Sequence, residues 1–263
     1  MKILPVKLNN YIYHNNSRNR SFKGVDNILS QESRLKRGQF VSNGIIHNFH
    51  YTSYARPDIN WVNFGEYLKG KYPDGDIYVF EFASSTGQES YTTALLLNKI
   101  YPDKKIKIKA MDIDSRMVEE SKKLQQSEII PYRYVLYLNS ELNLNKEESS
   151  NSFYQIDDED FKFQPKISDM IEFETGNILE FPFERYKDKP SIVLMRNMWT
   201  YVNEDEHKPF ARYLYKSLAL NSTVVIGNID LLASMRKKLL LAGFKPPSEY
   251  IDEKNRKFFL EKV

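Results

Sequence analysis

Apolar and polar positions alternate along this chain in blocks of two kinds. From Asp76 onward, short β-prone runs give way to longer amphipathic stretches. Ile77-Tyr78-Val79-Phe80-Glu81-Phe82-Ala83 is such a run, and the turn residues Ser84-Ser85-Thr86-Gly87 follow it. Tyr91 to Ile100, with Ala94, Leu95, Leu96 and Leu97, predicts the helix after that turn. Ile106 to Met111 predicts a second strand ending at Asp112. A helix to about Gln126 comes next, with Ser115 and Asp114 as candidate caps. Farther on, Met170 to Thr175 and Ser191 to Met195 read as strands, Glu204 to Leu218 as a helix, and Ser222 to Ile229 as a strand. A helix from Leu231 to Leu241 is closed by Gly243, and Lys257 to Val263 reads as a final edge strand. Strands separated by helices predict an α/β fold, a doubly wound and mostly parallel sheet whose ligands bind at the carboxyl ends of the strands.

Two stretches depart from this alternation. Residues 127–168 carry the polar run Asn143 to Ser152 and the acidic cluster Asp157-Asp158-Glu159-Asp160, flanked by aromatic runs. They read as an insertion of small strands with a mobile loop. Residues 1–49 are rich in Asn, Ser, Lys and Arg and read as a basic, polar, partly helical segment preceding a domain of residues 50–263.

Composition narrows the function classes. The net charge is +3, and basic residues concentrate only in the first 40 or so positions, which does not favour nucleic acid as a partner. With no cysteine, thiolate metal sites, disulfides and cysteine nucleophiles are excluded. The four histidines form no HExxH pattern, so no metal is expected. No apolar run has the ~20 residues of a membrane span, and the N-terminus has no signal-peptide core, so the expectation is a cytoplasmic protein without membrane insertion.

Three loops at predicted strand ends carry candidate chemistry. Ser84-Ser85-Thr86-Gly87 lets a ligand approach the backbone and the free N–H groups of a helix start, although a single glycine makes it a poor dinucleotide fingerprint. Asp112, directly after its strand, is placed to accept hydrogen bonds from the ribose of an adenosine-containing ligand. Arg196 and Asn197 follow an apolar strand where a sheet opens onto its crevice, whereas Met198 and Trp199 read as core.

Together these segments resemble the CheR-type methyltransferases, the chemotaxis-receptor protein-glutamate methyltransferases. Ala83 to Tyr91 is similar to that family's Ser-Thr-Gly-Glu-Glu-Pro-Tyr loop, departing from it at Gln88 and Ser90. Asp112-Ile113-Asp114 resembles its Asp-Ile-Asp, Asn177-Ile178-Leu179 its Asn-Leu-Leu, and Arg196 to Tyr201 its Arg-Asn-x-x-x-Tyr. Upstream, Thr52 to Arg56 matches its Thr-x-Phe-Phe-Arg in spacing. The resemblance runs in order from about residue 50 to 230. It implies a Rossmann-like class I methyltransferase sheet of seven strands, with a small β-rich insertion that in some members docks a receptor tail. S-adenosyl-L-methionine is the implied cofactor and S-adenosyl-L-homocysteine its product. By the same resemblance Ser85 and Gly87 line the cofactor loop, Glu89 takes the methionyl amino group and Asp112 the ribose. Asn177 and Ile178 lie along the adenine, Arg196 and Asn197 beside the methionine and sugar, and Thr52 and Arg56 close over the cofactor. Arg56 and Tyr201 flank the methyl group as the catalytic pair. The implied acceptor is a protein glutamate, for which an ionised carboxylate needs alignment and no general base. The alternatives are a same-fold methyltransferase acting on a small molecule or another side chain, and a non-catalytic cofactor-binding module.

Overall fold

A computed structural model describes residues 39–42, 45–48, 52–72, 75–127, 129–248 and 253–263. The chain divides into two compact units, Met1–Phe49 and His50–Val263. In the first, β1 (Gln39–Ser42) pairs antiparallel with β2 (Ile45–Asn48). The basic run from Asn15 to Arg37, read above as part of a polar segment, lies outside the described residues.

The second unit is built on a six-stranded sheet. Its strands are β3 (Ile77–Phe82), β4 (Ile106–Asp112), β8 (Ile171–Thr175), β9 (Ser191–Met195), β10 (Thr223–Ile226) and β11 (Phe259–Glu261). They lie in the order β11-β10-β9-β3-β4-β8, all parallel except β11. From β3 the chain steps outward to β4 and β8, then returns to the other side of β3 as β9. The strand order therefore reverses between β3 and β9, and that reversal opens a crevice at their carboxyl ends.

The resemblance implied seven strands, and six form among the described residues. The position of a seventh is marked by a single antiparallel bridge, Lys245 to Glu261, beyond β11. Pro246 and Pro247 come next. Neither has an N–H to give to a ladder, so pairing stops after one residue.

Helices α1 (Trp61–Leu68), α2 (Gln88–Ile100), α3 (Ser115–Ser127), α7 (Glu204–Ser217), α8 (Asn228–Leu232) and α9 (Met235–Ala242) accompany the sheet. Asn60 caps α1, its side chain accepting from Asn63 N at 2.9 Å. Asp114 caps α3 in the same way through Arg116 N at 3.0 Å, which leaves Ser115 as the first helical residue. The single helix expected from Leu231 to Leu241 is instead two, divided at Ser234, whose φ is +56°. Gly243 does end α9 in a left-handed turn.

Strand alternation sorts the core into two layers. Ile77, Val79, Ile106, Ile108, Ile192 and Leu194 face Trp61, Phe64, Leu95 and Leu96, while Phe80, Phe82, Val193 and Met195 face Phe183, Trp199, Phe210 and Leu214. Among the described residues no helix is long and apolar enough to cross a membrane.

The insertion holds a three-stranded antiparallel sheet, β5 (Ile130–Pro131), β6 (Phe153–Gln155) and β7 (Asp160–Phe163), in the order β5-β7-β6. It also holds helices α4 (Tyr132–Glu141), α5 (Lys146–Ser150) and α6 (Pro165–Ser168). The small strands expected here are present, and the part expected to be a mobile loop, residues 132–150, is helical instead. Val135 and Leu138 are both buried at helical spacing, and Asn145 and Glu148 close a capping box at the start of α5. The insertion is tied to the main core, with Phe163 stacked on Tyr91 at 4.2 Å between ring centroids.

Candidate functional site

Three strands direct an acidic or basic residue into the crevice from the same face of the sheet. Glu81 follows Ile77 and Val79 in β3, Asp112 follows Ile108 and Ala110 in β4, and Arg196 follows Ile192 and Leu194 just past β9. Glu81 and Leu194 are register partners across β3 and β9. All three residues are buried, at 2%, 4% and 3% exposure.

The loop after β3 brings a fourth charged residue over this row. Ala83, Ser85 and Gly87 have φ of +57°, +51° and +90°, so the chain winds through three left-handed residues before α2 begins. A Cβ on Gly87 would lie 2.6 Å from the ring of Phe173, which reserves that position for glycine. Ser85 N donates to Asp112 Oδ2 at 2.8 Å, and Asp112 Oδ1 accepts from Asp114 N at 2.9 Å. Asp112 thereby fixes the loop as well as facing the crevice. The first turn of α2 then carries Glu89, 3% exposed.

Glu89 joins two guanidiniums. Arg56 donates to its Oε2 through Nε at 2.8 Å and also through Nη2, and Arg196 Nη1 pairs with the same oxygen at 2.8 Å. Arg196 Nη2 reaches on to Asp58, and the Arg196 guanidinium lies over the Trp61 ring at 5.4 Å. Arg56 is presented by a pinned backbone. Ala55, at φ +38°, donates its N–H to Thr92 Oγ1 at 3.0 Å and accepts at its carbonyl from the Tyr137 hydroxyl of α4, also at 3.0 Å. Burial works against the Arg56 charge, but the Glu89 carboxylate outweighs it and the guanidinium is held more firmly protonated than usual.

Glu81 lies beneath this group. Burial pushes its carboxyl well above the ordinary range and the Glu89 charge adds to that, while Ser90, Arg56 and Arg196 pull the other way. Among the described residues its Oε2 has no hydrogen-bond partner, and the Nε of Arg196 and the hydroxyl of Thr52 are also buried without one.

Asp230 organises the loop after β9. Buried completely, it accepts four backbone N–H bonds, from Gly227 at 2.7 Å, Asn197 at 2.5 Å, and Met198 and Trp199 at 2.9 Å each. Burial raises its carboxyl to about 6 although those four donors lower it. Asn197 sits at φ +60° and its Oδ1 accepts from Ile229 N at 3.1 Å.

The remaining expected residues spread around the crevice. Asn177 follows β8 and caps a short turn, accepting from Leu179 N at 3.1 Å, and Ile178 is buried. Met198 and Trp199 are core, at 7% and 0% exposure. Tyr201 is 41% exposed, and the Arg56 guanidinium is engaged with Glu89, so the two expected catalytic side chains are not bonded to each other. Asp58, Glu81 and Asp230 escaped the sequence reading. Glu81 carried a signal, a lone carboxylate in an otherwise apolar strand one residue from its end. Asp58 stood among Arg56, Pro57 and Asn60 with no pattern to mark it, and Asp230 fell at the junction between the expected strand ending at Ile229 and the expected helix from Leu231. Among the described residues no cluster of His, Asp or Glu is arranged to hold a metal ion.

A family model described as the CheR methyltransferase SAM-binding domain matches residues 66–245. Among solved structures, the cyclase SpnF is similar at 12% identity and a TM-score of 0.41, over 80% of this chain and 68% of that one. A TehB-like SAM-dependent methyltransferase from Corynebacterium glutamicum is similar at 9% identity and a TM-score of 0.38, over 79% of this chain and 88% of that one. The glycopeptide N-methyltransferase MtfA in complex with S-adenosyl-L-methionine is similar at 10% identity and a TM-score of 0.37, over 71% of this chain and 59% of that one.

Proposed function

This chain belongs to the CheR methyltransferase family and is an S-adenosylmethionine-dependent methyltransferase, and we propose that its acceptor is the carboxylate of a protein glutamate, converted to a methyl ester. The cofactor supplies a methyl group activated on a sulfonium. The donor set fits it: acids to meet its ammonium and ribose hydroxyls, guanidiniums to meet its carboxylate, and buried polar atoms still in want of partners.

The observation that carries the acceptor assignment is the state of the crevice acids. Glu89 is held by two guanidiniums, Asp58 by Arg196, and Asp112 by two backbone N–H groups. Among the described residues neither an imidazole nor an amine pairs with Glu89 or Asp58. An amine or hydroxyl acceptor needs a group to take its proton, whereas a glutamate arrives ionised. In this reading Arg56 orients one oxygen of the acceptor by a charge-assisted hydrogen bond, Tyr201 positions the reacting groups through its hydroxyl, and the remaining contribution is alignment.

A cleft of about 690 Å³ lined by Asp58, Asn60, Trp61, Asn228 and Lys257 favours a second reading, a small polar acceptor. One experiment separates the two. Protein extract is incubated with methyl-labelled cofactor and the product is treated with mild alkali. A glutamate ester releases its label as volatile methanol almost completely, and label that survives on the product refutes the ester.

A further inference from the structure

The segment that carries Arg56 is held by three elements, each bonded to a successive peptide unit. The Ala55 N–H donates to Thr92 Oγ1 of α2 at 3.0 Å, and the Ala55 carbonyl accepts from the Tyr137 hydroxyl of α4 at 3.0 Å. The Arg56 carbonyl accepts from Trp61 Nε1 of α1 at 3.1 Å. A peptide unit is planar, so a bond to the Ala55 carbonyl also fixes the direction of the Arg56 nitrogen. Ala55 is fully buried at a φ of +38°, a left-handed backbone that an L residue leaves unless its surroundings hold it there. Thr92 stands three residues beyond Glu89 on α2, so one face of that helix grips residue 55 by its N–H and residue 56 by its guanidinium. The unit between these two grips is held from the insertion. There, Tyr134 of α4 and Phe163 of β7 lie against Tyr54 at 5.6 Å and 6.2 Å between ring centroids. The Tyr137 ring packs against the core, and its hydroxyl reaches Ala55.

We infer that Tyr137 is a positioning residue for the transfer step: by holding the Ala55 carbonyl it keeps residue 55 left-handed and aims Arg56 into the crevice. The insertion is then a working part of the site. The inference deepens the reading above, in which Arg56 orients the acceptor, and rests on it. In the free protein Glu89 fixes the end of the Arg56 side chain. An acceptor carboxylate competes for that guanidinium, and the backbone then decides where it points. A guanidinium on a relaxed backbone misaligns the attacking oxygen with methyl and sulfur, and a shift of about 1 Å is enough to forfeit much of the advantage of alignment. Tyr137 acts through Arg56 and not on the reacting atoms.

A split between rate and affinity separates this role from a structural one. Wild type and Tyr137→Phe are compared for label transfer from methyl-labelled S-adenosylmethionine to protein extract, and for S-adenosylhomocysteine affinity by calorimetry. Tyr137→Phe keeps its ring in the core and is expected to bind the product within about twofold of wild type. At saturating cofactor it is expected to transfer label about tenfold more slowly. In an Arg56→Lys background the same substitution should cost nothing further, because the guanidinium it aims is gone. A wild-type rate in Tyr137→Phe, or an equal loss repeated in the Arg56→Lys background, overturns the inference. If Arg56→Lys transfers no label, the rate and affinity of Tyr137→Phe decide alone, and a loss of affinity that matches the loss of rate overturns it. Label from wild type that resists mild alkali refutes the glutamate ester without touching the Tyr137 comparison, so the two failures are told apart. Wild type that transfers no label overturns both.

Discussion

Gly87 holds a conformation that no other residue takes without strain, and its neighbour Phe173 leaves no room for a side chain. Gly87→Ala is expected to lower stability by roughly 1–3 kcal/mol, measured by denaturant unfolding, because it combines a left-handed backbone with a steric clash. At Asp112, replacement by Ala removes the partner of two N–H groups as well as the proposed ribose contact. Binding of S-adenosylhomocysteine should weaken by about 1–3 kcal/mol, and unchanged affinity in the folded variant would remove Asp112 from the site. Arg56 and Tyr201 should behave differently from each other in a melting experiment. Tyr201→Phe, at an exposed position, is expected to melt with wild type and lose turnover, while Arg56→Ala also loosens the α2 start, although Arg196 still pairs Glu89. Wild-type turnover in either variant would deny that residue a catalytic role. The segments that hold Arg196 and Glu89 were legible because residue type and position agreed at the ends of apolar strands. Their mutual pairing was not legible, since contacts across more than 100 residues leave no trace in local pattern.

Between elements, Asp230 locks the start of α8 to the loop after β9. Asp230→Ala strands four buried donors and is expected to cost at least about 2 kcal/mol and to displace Arg196 and Asn197, so cofactor affinity should fall together with stability. Its pH dependence has a definite sign. The folded-state carboxyl is raised to about 6 from an ordinary value near 4. Its contribution to stability is therefore full below the ordinary value and is lost as pH rises through about 6. The melting temperature of wild type relative to Asp230→Asn should fall across that interval, and a flat difference would show that the four donors cancel the effect of burial. The strands and α2, α3 and α7 could be read from periodicity. Residues 132–150 could not, because abundant Tyr, Ser and Asn favour turns and strands on local propensity and the helical spacing of Val135 and Leu138 acts only once the core is present.

At the largest scale, in the unit of residues 50–263, two apolar layers clasp a sheet whose reversal between β3 and β9 decides where ligands go, and the alternation of strand and helix made that architecture readable in advance. The number of strands was less readable, because it turns on how a single dipeptide interrupts a ladder. The unit of residues 50–263 contains every crevice residue named here. A protein beginning at His50 is therefore expected to bind S-adenosylhomocysteine with wild-type affinity in calorimetry, and loss of binding would assign residues 1–49 a part in the site. Pro246 and Pro247 have a consequence for life in a crowded solution. Where the sheet runs out beyond β11, the next stretch of chain has no N–H groups with which to recruit a stray strand from another molecule. The dipeptide is thus expected to act as a colloidal safeguard. Replacing both prolines by β-branched residues should lengthen the ladder and also seed self-association, visible as a concentration-dependent rise in sedimentation coefficient.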